Sequence, residues 1–383
     1  MGFLNLFIVA SIPVLKVLLV TALGSFLALD SISILGEDAR KHLNRVVFFV
    51  FNPALVSSNL AKTITYESMI KLWFMPINIL FTFLIGSALG WMLIQITRPP
   101  QHLRGLILGC CAAGNLGNML IIIVPAVCKE KGSPFGDSDV CSTYGMAYSS
   151  LSMAIGAIYL WSYVYNIVRI SSSKYTEGID ESSSKSSEEP SKVMNGSCRE
   201  PLLSKDLSIL ENQADHFALP CSSSEARPQI VGFFVGLIPL IRWLMIGESA
   251  PLRVIEDSAY LIGEGAIPAT TLIMGANLLR GLRGSDIHVS LIVGIIVIRY
   301  IALPLFGILI IKGVLHFGLV QSDPLYTFVL LLQFAVPPAM NIGTITQLFG
   351  AGEKECSVIL LWTYGLASIS LTLWSTFFMW LVA

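Results

Sequence analysis

Apolar segments of roughly 20 residues, each bounded by polar stretches, follow one another along almost the whole chain. A helix needs about 20 mostly apolar residues to cross the hydrocarbon core of a bilayer, so the pattern predicts ten membrane spans. In chain order they cover residues 7–29, 46–60, 72–96, 103–127, 144–168, 230–246, 259–279, 289–311, 325–349 and 357–382. Because backbone polar groups in lipid need internal partners, these segments predict an all-α polytopic membrane protein.

One long polar stretch, residues 171–228, interrupts this pattern. It holds 10 acidic residues, 6 basic residues and 15 serines, without apolar periodicity. Such a composition buries too little apolar surface to fold, and it predicts a disordered loop. The loop divides the chain into residues 1–170 and residues 229–383, with five predicted spans on either side.

The two halves of the chain resemble each other. Residues 143–147 open the fifth span and residues 363–367 open the tenth with nearly the same sequence. Residues 115–117 in the fourth span likewise match residues 341–343 in the ninth. Because five is an odd number, the second half enters the membrane from the opposite face. The sequence therefore predicts an inverted five-plus-five repeat, which is typical of secondary transporters.

Composition excludes several functional classes. Hydrophobic residues make up 54% of the chain and charged residues 13%, with a mean hydropathy of +0.73. Soluble domains carry about 25% charged residues, so an ordinary soluble enzyme is excluded. The net charge of -1 gives no reason to expect a nucleic-acid partner. We recognise no enzymatic signature in the sequence and expect neither catalysis nor a cofactor.

The seven cysteines show no CxxC metal spacing and no paired framework. Cys110, Cys111 and Cys128 lie in or beside an apolar span, and Cys141 and Cys356 lie where other spans begin. We interpret them as small packing residues and expect no metal site.

Basic residues are shared unevenly between the two sides of the predicted arrangement. The short loops that follow odd-numbered spans hold eight lysines and arginines, and those that follow even-numbered spans hold six. Because cytosolic loops carry the excess of basic residues, this bias predicts a cytosolic long loop and places both termini on the opposite side.

The fourth and ninth spans are each interrupted near the middle by residues that support a helix poorly. The interruptions contain Gly114, Asn115, Gly117 and Asn118 in the fourth span, and Pro337, Pro338, Asn341 and Gly343 in the ninth. Broken helices are tolerated in membranes only where protein or a wet cavity covers the break. If the two spans cross, the N-termini of their second halves converge, and their free N–H groups favour a bound anion.

Two interpretations of the asparagines stay open at this point. They hold helices together by hydrogen bonds, or they donate amide groups to the anion. A matched pair beside matched breaks favours the anion site. Asn52, Pro53 and Pro268, in the second and seventh spans, complete the predicted substrate-binding set, either as simple kinks or as part of a pocket wall.

Three ionisable residues, Lys16, Glu264 and Arg299, fall inside predicted spans, with Gln333 as a neutral polar companion. Charges are costly in a membrane interior and indicate function by default. One interpretation pairs Glu264 with Arg299 or Lys16 to fix helix packing. The other makes Glu264 a proton carrier whose pKa is raised by desolvation.

Several motifs together resemble the plant PIN-LIKES family, relatives of the PIN-FORMED auxin efflux carriers. They lie at residues 52–55, 114–118, 200–203, 263–268 and 335–343, so the resemblance covers essentially the whole chain. It implies a fold like that of bile-acid and sodium/proton transporters, with broken helices four and nine crossed. It also implies that helices 1, 2, 6 and 7 form a scaffold, usually a homodimer, and that helices 3–5 and 8–10 form a mobile transport domain.

The resemblance further implies a function in the endoplasmic reticulum membrane. A PIN-LIKES protein is expected to transport indole-3-acetic acid there and so limit nuclear auxin signalling. The crossing asparagines of the family map onto Asn115 and Asn341. The expected partners are therefore a small organic anion and the lipid bilayer.

The chain departs from the auxin efflux carriers at two places. Gly114 stands where they have a proline, and residues 74–79 of the third span lack the acidic residue and the lysine found there. Proton coupling then falls to Glu264 or Lys16, or the carrier is a uniporter driven by the anion gradient and the membrane potential. The alternatives are a carrier of another small organic anion, a cation-coupled symporter or antiporter of the same fold, and a receptor that does not transport.

Overall fold

The computed structural model describes residues 3–63, 71–172, 243–247, 250–281, 287–320, 323–349 and 352–382. Most of the predicted polar loop and of the sixth predicted span lies outside these residues. Within them the regular structure is helical, with one isolated antiparallel bridge. The first half contains α1 (Phe3–Leu27), α2 (Glu37–Val46), α3 (Asn52–Thr63), α4 (Phe74–Thr97), α5 (Gln101–Ala112), α6 (Asn118–Lys129) and α7 (Ser138–Tyr159). The second half contains α8 (Arg253–Glu264), α9 (Ala266–Gly281), α10 (Val289–Val297), α11 (Leu303–His316), α12 (Pro324–Leu332), α13 (Asn341–Phe349) and α14 (Glu353–Val382).

Five of the described helical runs are long and apolar enough to cross a membrane. They are Leu4–Leu27, Phe74–Thr97, Ser138–Ser172, Val289–His316 and Lys354–Val382. They coincide with the first, third, fifth, eighth and tenth predicted spans. The protein is therefore a multi-pass helical membrane protein.

Two of these long helices contain a π-helical turn. Leu160–Val164 follows α7, and Ile298–Ala302 joins α10 to α11. A third π-helical turn, Val47–Phe51, joins α2 to α3. Such turns are often found at functional sites.

Helices α1 and α9 pack closely because a glycine on each helix faces the backbone of the other. A Cβ added to Gly275 would collide with the Thr21 carbonyl, and one added to Gly24 would collide with the backbone of Leu272. The hydroxyl of Ser25 donates to the Gly275 carbonyl oxygen at 2.8 Å. Small residues that let backbones approach are the usual means of helix association in membranes. Helix α8 packs in the same way on α3.

A disulfide joins Cys128, at the end of α6, to Cys141, at the start of α7. The prediction that the cysteines serve only for packing is therefore wrong for this pair. The two residues are 13 positions apart, and only the hairpin between α6 and α7 brings them together. The prediction is retained for Cys110, Cys111 and Cys356, which are buried free thiols.

The core of the described structure is centred on the two interrupted spans. Ala112, Ala113, Phe334, Ala335 and Val336, next to the breaks, are completely buried. The backbone of these five residues is therefore covered by protein, as an interruption of backbone hydrogen bonding in a membrane requires.

Candidate functional site

The two broken spans are joined at their breaks by a short antiparallel bridge between Gly114 and Pro338. The backbone amide of Asn115 donates to the Pro337 carbonyl oxygen at 2.8 Å, and the backbone amide of Ala339 donates to the Ala113 carbonyl oxygen at 2.9 Å. Each break therefore satisfies polar groups that the other exposes. Unpaired amides in this apolar interior would each cost several kcal/mol.

The second halves of both broken spans begin at an asparagine beside the same cavity. Helix α6 begins at Asn118 and α13 begins at Asn341, and both residues line a cavity of about 120 Å³. Neither helix has an acidic residue in its first turn. The free N–H groups of a helix N-terminus, with its partial positive charge, make this end of the cavity suited to an anion.

The N-terminus of α6 is the more open of the two. At α13, the amides of Ile342 and Gly343 already donate to the carbonyl oxygens of Ala339 and Met340, at 3.2 and 3.0 Å. Gly117 precedes α6, and a Cβ there would press on the side chain of Met153. Of the two N-termini, that of α6 is therefore better suited to an anion.

The rest of the polar lining of this cavity is neutral or cationic. It consists of Arg40, Lys41 and Asn44 of α2, Thr270 and Asn277 of α9, and Ser357 and Tyr364 of α14. No carboxylate is among the described residues that line it. Such a lining attracts anions and disfavours metal cations.

Helix α2 carries the two basic residues at the mouth of the cavity, and no residue of α2 is buried. The guanidinium of Arg40 donates from Nη1 to the Ala276 carbonyl oxygen at 3.1 Å, which holds α2 against α9. Lys41 forms an ion pair with Glu37 at 3.0 Å, one helical turn away. The mouth of the cavity is therefore basic, and the helix that carries its basic residues is held against α9.

A second cavity, of about 70 Å³, is almost entirely apolar. Its lining includes Val14, Val17 and Leu18 of α1, Met119 and Ile123 of α6, and Ala367 and Leu371 of α14. Met274, Leu278 and Tyr364 line both cavities. A polar, anion-attracting space and an apolar space thus share a wall, an arrangement that suits a ligand with one carboxylate and one apolar ring.

Asn115 does not line either cavity, but it binds Tyr364, which lines both. Its amide Nδ2 donates to the Tyr364 hydroxyl at 2.8 Å, and that hydroxyl donates to the Pro338 carbonyl oxygen at 2.8 Å. Asn115 therefore fixes the ring of Tyr364 and ties it to the bridge. Its direct contact with a substrate stays a prediction.

The predicted residues Pro53 and Pro268 stand in the first turns of α3 and α9. At Pro268 the first turn tolerates the missing N–H, whereas Pro53 directly follows the π-helical turn Val47–Phe51 within a longer helical run. Neither proline lines the two cavities. Asn52 is the first residue of α3, and the position of its side chain lies outside the described structure. Gly343 does line the larger cavity.

The interpretation that pairs Glu264 with Arg299 or Lys16 is wrong. Lys16 instead binds Glu130, just beyond α6, with 2.6 Å between Nζ and Oε1. Arg299 is completely buried and donates from Nε to the Cys110 carbonyl oxygen at 2.9 Å, whereas Glu264 is exposed at the end of α8. The sequence placed all three charges inside spans but did not show which helix faces they occupy.

Gln333 belongs to a buried network that ties three helices together beside the bridge. Its Nε2 donates to the Ser152 hydroxyl at 3.0 Å, and its Oε1 accepts from Nδ2 of Asn78 at 2.8 Å. The same Asn78 nitrogen donates to the Leu330 carbonyl oxygen at 3.0 Å. The partners of Gln333 therefore indicate a packing role.

Residues 9–375 match a protein family described as membrane transport protein. Protein PIN-LIKES 1 of Arabidopsis thaliana is 55% identical over 397 residues, which cover 100% of this chain and 81% of that protein. The chain belongs to the PIN-LIKES family. PIN-LIKES 3 and PIN-LIKES 5 of the same plant are 54% and 41% identical over 390 and 397 residues, in each case with 99% of both chains covered. Family membership confirms the resemblance and makes the protein a membrane transporter, not an enzyme.

Sequence reasoning missed the part of the site that lies on α2. It counted Arg40 and Lys41 only as evidence for orientation. The available signal was a ten-residue polar segment, Glu37–Val46, with acidic residues in its first turn and a basic residue in its last. That pattern predicts a surface helix at a membrane boundary.

Proposed function

We propose that this PIN-LIKES protein is a carrier that moves auxin, indole-3-acetic acid, across the endoplasmic reticulum membrane by alternating access. The observation that carries the proposal is the pair of adjoining cavities at the bridge. One is lined by amides, basic residues and the N-termini of α6 and α13, and the other by apolar side chains. Indole-3-acetate has the matching division into a carboxylate and an aromatic ring.

In the proposed complex the carboxylate lies at the first turn of α6, between Asn118 and Asn341. The indole ring occupies the apolar cavity, against Met119, Met274 and the ring of Tyr364. Arg40 and Lys41 at the mouth raise the local concentration of the anion before it binds. Gly114, Gly117, Pro337 and Pro338 act indirectly, because they hold the two breaks in place.

The proposed movement is of the elevator type, within a ten-span inverted repeat. Two pairs of packed helices support the division into scaffold and transport domain that such a movement needs. Helix α9 packs on α1, and α8 packs on α3, which groups the first, second and seventh spans. The pattern of the spans also supports the repeat, since the third and eighth are continuous and the fourth and ninth are broken.

The proposed orientation places the long loop in the cytosol and both termini in the lumen. The Cys128–Cys141 disulfide supports it, because disulfides persist in oxidising compartments such as the lumen. This hairpin follows an even-numbered span, as the charge bias requires. On the same topology α2 faces the cytosol, so the basic mouth opens to that side.

Glycosylation tests this orientation. Gly136 lies in the α6–α7 hairpin with φ of +85° and no atom within 4 Å of an added Cβ. Asparagine tolerates this left-handed backbone, and Gly136→Asn creates an acceptor triplet with Asp137 and Ser138. We expect a glycosidase-sensitive mass shift in this variant. The unmodified protein is the control, because its own triplet at residues 195–197 would be cytosolic. A shift in the unmodified protein would reverse the orientation.

Flux measurements on purified protein in liposomes test the function itself. We expect saturable uptake of labelled indole-3-acetate that does not require sodium and persists without a pH gradient. Uptake that stops without sodium or without a proton gradient would favour the cation-coupled alternative. Binding without any flux would make the protein a receptor and overturn the carrier proposal.

A further inference from the structure

Arg299 lies at the centre of the protein, directly behind the bridge. It stands in the π-helical turn Ile298–Ala302 and is completely buried. Its Nε donates to the carbonyl oxygen of Cys110, in the last turn of α5, at 2.9 Å. The C-terminal end of a helix carries partial negative charge, so this position stabilises a cation.

The two terminal nitrogens of Arg299 face the bridge and have no hydrogen-bond partner among the described residues. A Cβ added to Gly114 would lie 3.3 Å from Nη1 and 3.5 Å from Nη2. The same Cβ would lie 2.8 Å from the side chain of Val336, which belongs to the other break. The absence of a side chain at Gly114 thus lets the guanidinium lie against the bridge.

The charge of Arg299 is not cancelled by any carboxylate in the described part of the chain. The ion pairs found there join Lys16 to Glu130 and two pairs of helix neighbours. The hydroxyl of Tyr364, which lines both cavities, binds the same bridge at the Pro338 carbonyl oxygen. Arginine keeps its proton in proteins. The crossing therefore carries about one full positive charge when no anion is bound.

We propose that Arg299 is a fixed counter-charge that stays with the two breaks through the transport cycle. Its hydrogen bond to Cys110 and its position against Gly114 attach it to the fourth span, and the bridge between Gly114 and Pro338 joins that span to the ninth, so the three move together. This inference rests on the proposed function. The loaded crossing then carries no net charge, because the carboxylate balances Arg299, and the empty crossing carries one positive charge.

The proposal determines which step of the cycle senses the membrane potential. With saturating anion on both sides, exchange of anion for anion uses only the neutral, loaded form, and its rate is independent of voltage. Net transport includes the return of the empty, charged form, and its rate changes with voltage. With a symmetric barrier, a unit charge crossing the whole field changes the rate about sevenfold per 100 mV.

The experiment compares the two transport modes in liposomes at neutral pH, where carboxylic acids are ionised. A potassium gradient with valinomycin sets the potential. Labelled indole-3-acetate is followed with equal, saturating unlabelled anion on both sides for exchange, and with anion on one side only for net flux. For the unmodified protein and for Arg299→Lys, which retains the charge, we expect constant exchange and several-fold voltage dependence of net flux. For Arg299→Gln we expect exchange to become voltage-dependent.

The unmodified protein decides the inference even if Arg299→Gln does not fold. Exchange by the unmodified protein that changes severalfold with voltage would overturn the counter-charge proposal and leave the carrier intact. Voltage-independent exchange in Arg299→Gln would likewise overturn it. An absence of indole-3-acetate exchange at zero potential would instead overturn the proposed function.

Discussion

Alanine at both Asn118 and Asn341 is expected to abolish saturable uptake of indole-3-acetate in liposomes. Each asparagine is the first residue of a half-helix, and both line the polar cavity. A hydrogen bond to a charged group contributes about 1.5–3 kcal/mol, so each single substitution should weaken binding by about 10- to 150-fold. The double variant should then show no specific uptake at micromolar substrate.

Two further variants make this result interpretable. Asn166→Ala removes an asparagine whose amide bonds within its own helix, to the Ser162 carbonyl oxygen, and it should leave uptake unchanged. Asn115→Ala should weaken binding less than either cavity substitution, because Asn115 acts through Tyr364. Full uptake in the double variant, with unchanged thermal stability in detergent, would refute this location of the carboxylate.

Gly275→Ala is expected to destabilise the protein strongly, by about 3 kcal/mol, at the upper end of the range for overpacking. An added Cβ would meet the Thr21 carbonyl and would lie 2.8 Å from the Ser25 amide nitrogen. Both atoms belong to the backbone of α1, so no side chain can rotate away. Helices α1 and α9 would have to separate, and the apolar cavity between them would change shape.

The control is Gly313→Ala, since Gly313 is also a glycine within a helix but has no atom within 4 Å of an added Cβ. Alanine there should leave stability unchanged or raise it slightly, because alanine favours helix more than glycine does. The measurement is the thermal unfolding midpoint of both purified variants in the same detergent. Equal midpoints for the two variants would show that the close approach of α1 and α9 is not required.

The continuous spans could be predicted from sequence because their signal is local. The third span was expected at residues 72–96 and is found at Phe74–Thr97. The first break was also predictable, since glycine and asparagine at 114–118 interrupt an apolar run. Helix α5 ends at Ala112 and α6 begins at Asn118.

The partners of the polar side chains could not be predicted, because they lie far away in sequence. Arg299 binds a carbonyl group 189 residues away, and Asn115 binds a hydroxyl 249 residues away. Hydrophobic periodicity shows that a charge lies within a span, but not which face of the helix bears it. The same limit explains why Asn118, and not Asn115, was found beside the polar cavity.

The mutual bridge between the breaks also constrains how the chain is assembled in the membrane. The backbone amide of Asn115 and the carbonyl oxygen of Ala113 find their partners at residues 337 and 339. At about 5–20 residues per second, a ribosome needs roughly ten to forty-five seconds to synthesise the intervening chain. Until then these two backbone groups of the first half lack their native hydrogen-bond partners. Because unpaired backbone groups are costly in lipid, we expect the centre of the first half to stay out of contact with lipid until residues 337–339 have been made.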